Sequence, residues 1–442
     1  MKLIETLKNI WKIEDLRKRL ITTFLFILIY RFGCHVVLPG ISPAALEAMR
    51  NFTSSGLMQL LDMFSGGAFG QASIFALGIM PYITASIVIQ LLGMVLPSFQ
   101  KMQREGESGR MKLNQYTRYL TVIILLFQGP AYLLNLQYQY AGTPSMPWQQ
   151  LVFLTIVLTA GAMMIMWLGE KITDKGIGNG ISIIILVGIL ARLPGAFFNE
   201  FTSRLETSQG GLVMLLVEIV IMFAVTAGAV MLTQGTRKVP VQYAKRIVGN
   251  KQYGGARQYI PLKVNAANVM PIIFAQALMF IPITLAGFGR NENASGLSGW
   301  IQSNFGDMNS FWYNVVYFIL IVAFTYFYTA ITVRPTQMAE EMKKNSGFIP
   351  GIKPGKKTAE YLDSIMSRIT LPGSIFLGIV AILPAFARVF RVSQQFSQFF
   401  GGTSLLITVG VVLDTLQQIE THLMMHHYDG LMKSGKIKGR SR

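Results

Sequence analysis

The sequence predicts an all-α integral membrane protein of ten transmembrane helices, and three observations carry that expectation. Of 442 residues, 52% are hydrophobic and only 14% charged, with a mean hydropathy of +0.45, more apolar surface than one water-soluble core can cover. The apolar residues gather into ten runs, 20–38, 73–96, 116–136, 149–168, 180–198, 212–233, 266–288, 311–333, 370–390 and 401–419. Each is close to the roughly 20 residues that a helix needs to cross a hydrocarbon core. The basic residues fall in alternate connections: Lys12, Arg17, Lys18 and Arg19, then 101–112, 237–263, 334–368 and 433–442 share one side by parity. The positive-inside tendency makes that side, and both termini, cytoplasmic.

Taken in order, residues 1–19 form a cytoplasmic helix with Leu3, Leu7 and Trp11 opposite Lys and Arg, suited to lying in the membrane interface. The run from Ile21 to Leu38 has no small-residue cleavage site and is expected to stay as the first span. Residues 20–198 make a first five-helix half, which includes a short apolar helix over Leu57 to Gly70. At 1.5 Å rise its length is only about 21 Å, against a hydrocarbon core of about 30 Å, so it enters without crossing. Residues 199–422 make a second half with long cytoplasmic loops at 235–265 and 334–369, and 423–442 form a basic tail. Five spans reverse direction, so two similar halves must be inverted. Met80-Pro81-Tyr82-Ile83 and Met270-Pro271-Ile272-Ile273, in spans of equal rank, echo each other in support, and each proline is expected to kink its span.

Enzyme chemistry is missing from the pattern. No Walker loop, His-Glu-x-x-His or nucleophile with base and acid is legible, so no catalytic residue and no cofactor is expected. The single cysteine, Cys34, sits in an apolar run as a packing residue and excludes an intrachain disulfide. Gly176 to Gly180, GIGNG, lacks the strand that precedes a phosphate loop and reads as a tight turn. His422, His426 and His427 include an i, i+4 pair, but solvated histidines are common at the end of a last span and no metal site is assigned. Glu218 and Asp414 are carboxylates inside spans with no obvious basic partner there. They would be working sites in an ion-coupled secondary transporter of a small solute, the alternative function, or else they face protein or snorkel.

The net charge of +18 gathers in the loops. Residues 235–265 carry Arg237, Lys238, Lys245, Arg246, Lys251, Arg257 and Lys263 with no acid, interleaved with Tyr243, Tyr253 and Tyr259. Such a mixture suits phosphate contacts and base stacking, as in rRNA, or serves as a topology signal touching anionic lipid. With Lys353, Lys356 and Lys357 in the second loop, it makes a docking platform for something large.

The stretches MFSGGAFGQASIFALGIMPYITASIVIQLL, EGESGRMKLNQYTRY, MWLGEKITDKGIGNGISIIIL, VQYAKR, PLKVN, GFIPGIKPGKKTAEYLD and GGTSLLI, in this order, closely resemble the SecY family, the channel-forming subunits of bacterial protein translocases. The resemblance implies two inverted halves around a central pore that passes unfolded polypeptides and releases transmembrane segments sideways into lipid. It makes the short helix a plug, short, mobile and mostly uncharged, with Leu60 and Phe64 on it and Gly66, Gly67 and Gly70 as its hinge. It makes Ile79, Ile83, Ile181, Ile185, Ile273 and Ile407 the pore ring, where isoleucine is stiff, lacks hydrogen-bonding groups and can dewet a constriction. A lateral gate would involve Pro81, Gln90, Asn268 and Pro271, the two amides as breakable polar contacts. The implied partners are SecE-type and SecG-type small membrane subunits, a SecA-type cytoplasmic ATPase, the ribosome, signal sequences and nascent chains, in the bacterial cytoplasmic membrane. Lys353 stands where the family most often has arginine, keeping the charge but losing the planar fork.

Overall fold

Inside a bilayer a chain satisfies its backbone within each span, and helices dominate accordingly. The computed structural model describes residues 11, 13–41, 43, 46–47, 49, 56–139, 147–206, 211–243, 246–248, 251–253, 257–288, 300, 304–305, 310–390 and 392–433. Among these, seven helices are long and apolar enough to cross a membrane, or eight if one bent pair counts as a span. The chain divides into two compact units, Met1–Phe198 with Val411–Arg442, and Asn199–Gly410.

In the first unit α1 (Glu14–Gly33) runs without a break through the expected boundary between interfacial helix and first span. It stops five residues short of the expected end, because Val36 to Leu38 turn extended: Leu38 N–H donates to Ala72 O at 2.9 Å and Ile74 N–H to Val36 O at 2.9 Å. Next come α2 (Gly56–Phe64), α3 (Met80–Val95) and α4 (Pro97–Arg104). The span expected from Ser73 becomes helical only at Met80, and residues 65–79 are wound as buried turns. A 102° bend separates α3 from α4, where Leu96 is extended before Pro97. The long helices α5 (Glu107–Gln139) and α6 (Trp148–Lys175) follow, then α7 (Gly180–Leu190) and the first residues of α8 (Leu193–Glu206), which passes into the second unit at Asn199. The fifth expected span thus carries a two-residue turn at Ala191 and Arg192, while 180–205 as a whole still counts among the seven helices long enough to cross. Phe69, Ala72, Ala76, Tyr132, Leu133, Leu154 and Leu158 share one core cluster, so the turn segment packs against α5 and α6. The GIGNG stretch is the turn between α6 and α7: Gly178 has φ +79°, and the Asn179 side chain caps α7 by accepting from Ile181 N–H and Ser182 N–H.

The second unit holds α9 (Gly211–Gln234), α10 (Met270–Phe288), α11 (Phe311–Thr332), α12 (Pro335–Lys344), α13 (Lys356–Val389), α14 (Gln394–Ser397) and the start of α15 (Gly402–Lys433). The expected proline kinks are corrected. Pro81 and Pro271 each occupy the second position of a helix, where the missing N–H has no partner to lose. Both Met-Pro pairs therefore start a helix after a turn segment.

The basic loop at 235–265 contains a sheet. It folds as β1 (Thr236–Tyr243) paired antiparallel with β4 (Arg257–Lys263), register Thr236 with Lys263 through Gln242 with Arg257, and holds a small β2 (Arg246–Val248) and β3 (Lys251–Tyr253) hairpin. A two-residue strand, β5 (Gly347–Phe348), adds to the other edge of β1. Val239 and Val241 point inward with Leu262 and pack on Met342, Ile349, Leu362 and Met366 of the second long loop and α13. Each fully buried side chain of this size is worth about 1.5–3 kcal/mol, enough to hold a strand that solvated loops would not form. Arg237 and Lys238 stay exposed.

Candidate functional site

The glycine-rich stretch after α2 is a helix cap. Gly66 and Gly67 adopt φ +68° and +91°, with Gly66 N–H donating to Met63 O at 3.1 Å and Gly67 N–H to Asp62 O at 2.7 Å. That pair of bonds is a Schellman motif, which closes a helix C-terminus with left-handed glycine. A Cβ on Gly66 would lie 3.0 Å from Arg31 Nη1 and 3.1 Å from Gly188 Cα, so a side chain there would press on both neighbours and strain a backbone already at positive φ. The expected hinge is thus held in this state by a set of bonds. Gly70 N–H donates to Asp62 Oδ1 at 2.6 Å, Arg31 Nη1 to Gly66 O at 2.8 Å and Tyr30 Oη to Ser65 O at 3.1 Å. Asp62, buried at 1% exposure, forms an ion pair with Arg192 at the break between α7 and α8. The mostly uncharged helix thus carries one acid, buried and paired. Phe64 is buried, and Leu60 lies on α2.

Of the isoleucines singled out from sequence, Ile79 is the residue just before α3 and Ile83 accompanies it one turn on, its N–H donating to Ile79 O at 3.1 Å; both are buried. Ile181 and Ile185 lie on α7, the latter buried; Ile273 is in the first turn of α10 and Ile407 is buried on α15. Among the gate residues, Pro81 and Pro271 are buried, and Gln90 Nε2 donates to Ser86 Oγ of its own helix at 3.2 Å. Asn268 has φ +52°, a conformation asparagine tolerates, and its carbonyl accepts from Asn265 Nδ2, which gives it a turn role ahead of α10.

The basic residues fall in three places. Arg237 and Lys238 are exposed on β1, while Arg246, Lys251 and Arg257 lie on β2, β3 and β4. Lys245 lies outside the described residues. Lys353, Lys356 and Lys357 are exposed around the start of α13, whose first turn has no acid. Cations at a helix N-terminus oppose its dipole at a cost of about 0.3–1 kcal/mol, so their placement is not explained by stability.

Sequence reasoning overlooked the charges that pair inside the apolar segments. Glu218 has a basic partner after all: Arg204 Nη2 reaches Glu218 Oε1 at 2.5 Å and Arg204 Nε reaches Glu200 Oε1 at 2.9 Å, all three buried. Glu200 Oε2 also accepts from Ser393 N–H at 2.9 Å, tying α8 to the start of α14. Arg204 comes from the preceding helix, 14 residues upstream, beyond the reach of a search along one span. With Glu218 so committed, the transporter reading loses its main support. Asp414 is exposed and accepts from Gln418. Lone charges in apolar stretches, Arg31, Asp62 and Arg192, were the available signal.

The chain shares its fold with a SecY protein whose plug domain stabilises the closed state of the translocation channel and maintains a membrane seal, at TM-score 0.63, 18% identity and 92% coverage of each chain. It shares it also with Sec61 in the canine ribosome-channel complex from the endoplasmic reticulum, at TM-score 0.57, 18% identity and 92% of each. The fold is thus the one these channel proteins share. A family model described as SecY matches residues 73–416, and the protein translocase subunit SecY of Streptomyces galbus is 43% identical over 435 residues, 96% of this chain and 98% of the relative. The chain belongs to the SecY family of protein translocase subunits and is a multi-pass membrane protein.

Proposed function

We propose that the chain is the central pore of a translocase in the bacterial cytoplasmic membrane, with both termini cytoplasmic, passing unfolded secretory polypeptides outward and releasing transmembrane segments into lipid. The observation that carries this is α2, a nine-residue helix, too short to cross, capped by glycines and bonded into the first unit. A docking scaffold has no use for such an element, and a solute transporter calls instead for a polar midplane site with ion ligands; a polypeptide pore needs a removable seal. In this reading α2 and the turn to Gly70 are the plug and Ile79, Ile83, Ile181, Ile185, Ile273 and Ile407 form the constriction. Pro81, Gln90, Asn268 and Pro271 flank the lateral exit. SecE-type and SecG-type subunits and anionic lipid surround the chain in the membrane.

No nucleotide-binding loop is legible, so energy for export comes from outside the chain, from a SecA-type ATPase or from a translating ribosome. The basic loops are their docking surfaces, a role supported by the exposed lysines at the start of α13 and the exposed cations of β1. The direct test is export of a presecretory polypeptide into proteoliposomes by the ATPase, beside insertion of a polytopic protein during translation. Lys353→Arg should preserve or raise export, and Lys353→Glu should lower it by placing like charge against an acidic motor surface, while insertion falls less. Equal loss of both activities would instead mean a misfolded loop, and failure of the unaltered chain to translocate would refute the function.

Ribosome docking makes a separate prediction. Arg246→Glu with Lys251→Glu should weaken cosedimentation with ribosomes, and the slope of binding against log salt should shrink as phosphate contacts are lost. Unchanged binding would leave the β2–β3 hairpin a topology signal.

A further inference from the structure

We infer that Asp62 and Arg192 form a latch that holds the plug closed and sets how readily the channel opens. The inference rests on the plug reading of α2 and adds the residues that restrain it. Asp62 is the one acid of α2, and it is buried. Its two oxygens divide the work: Oδ1 accepts from Gly70 N–H and shapes the turn, while Oδ2 meets the Arg192 guanidinium. Arg192 does not belong to the plug. It sits between α7 and α8, immediately before Leu193 and separated from Leu190 by Ala191, with about a third of its side chain exposed.

Two arginines therefore close on the same glycine turn, Arg31 from α1 and Arg192 from the turn between α7 and α8. Arg31 of α1 holds the Gly66 carbonyl, and Arg192 passes Gly67, whose absent Cβ would lie 3.4 Å from Nη2. The Arg31 contact is to a backbone carbonyl that any turn would offer. The Arg192 contact is to a charge, and a buried carboxylate is unfavourable without its partner, so it favours this position of α2 over any in which the two separate. Once α2 moves into a water-filled path, both groups hydrate again, which keeps the latch breakable. A covalently fixed or purely apolar plug would lack this balance between a good seal and easy release.

The experiment measures resting ion conductance of the full-length chain in planar bilayers. Asp62→Asn keeps an oxygen for Gly70 N–H and removes only the charge; Arg192→Gln removes the partner; Arg192→Lys retains the charge. The expected result is a resting current raised roughly three- to tenfold in each neutral variant, no further rise in the double variant, and near-normal current for Arg192→Lys. Deletion of residues 57–64, read alongside, separates the two claims. If the deletion leaks and the neutral variants do not, the latch is overturned and the plug stands. If the deletion itself does not leak, the plug reading falls and the latch with it. Additive effects of the two neutral substitutions would likewise overturn the latch, and thermal unfolding of each variant shows whether a leak comes from general loss of the fold.

Discussion

Replacing Arg204 by methionine is expected to destabilise the Asn199–Gly410 unit by about 3–5 kcal/mol, the cost of removing one partner from a buried charge network. The guanidinium serves Glu200 and Glu218 together, so its loss strands two buried carboxylates. Glu218→Gln should cost less, because Arg204 keeps Glu200 and the amide oxygen can still accept. The triple change Glu200→Gln, Arg204→Met, Glu218→Gln should recover most of the loss, since replacing a whole buried ionic group is often near neutral. Thermal unfolding of the purified chain in detergent reads all three. If Arg204→Met unfolds at the temperature of the unaltered chain, the cluster is hydrated and contributes nothing to holding α8 against α9.

Serine at Ile83, Ile185 and Ile407 together is expected to raise resting ion current on the order of tenfold, because a constriction that dewets depends on apolar walls. The competing possibility is specific. Were these buried isoleucines ordinary core residues, truncating each would cost up to about 2–5 kcal/mol with no change in current. Planar-bilayer conductance and thermal unfolding measured on the same preparation therefore separate a pore wall from a packed core. A stable, tight triple variant would remove these residues from the constriction.

The spans were legible because lipid imposes a strong one-dimensional rule: a helix must be long and apolar to cross, and composition along the chain records it. The turn nature of GIGNG was legible for a similar local reason, glycine at φ +79° and asparagine as a cap. Helix starts at Met80 and Met270 were misplaced by several residues, since the buried turns before them are as apolar as the helices and hydropathy cannot tell the two apart. The β1–β4 hairpin was missed because charge dominates its sequence, whereas what folds it is the alternation of Val239 and Val241 against α12 and α13.

By itself the sequence determined that this is a multi-span helical membrane protein, where its basic loops lie, and, through its motifs, the SecY resemblance. These are properties of segments, each fixed by its own composition or its own short pattern. Only the tertiary structure decided that Glu218 belongs to Arg204, that Asp62 belongs to Arg192, and that Gly66 and Gly67 close a helix in this state. The two ion pairs join residues 14 and 130 positions apart, and a charge in an apolar run says only that a partner is needed. Which partner meets it depends on how the helices pack, and that information is spread over the whole core.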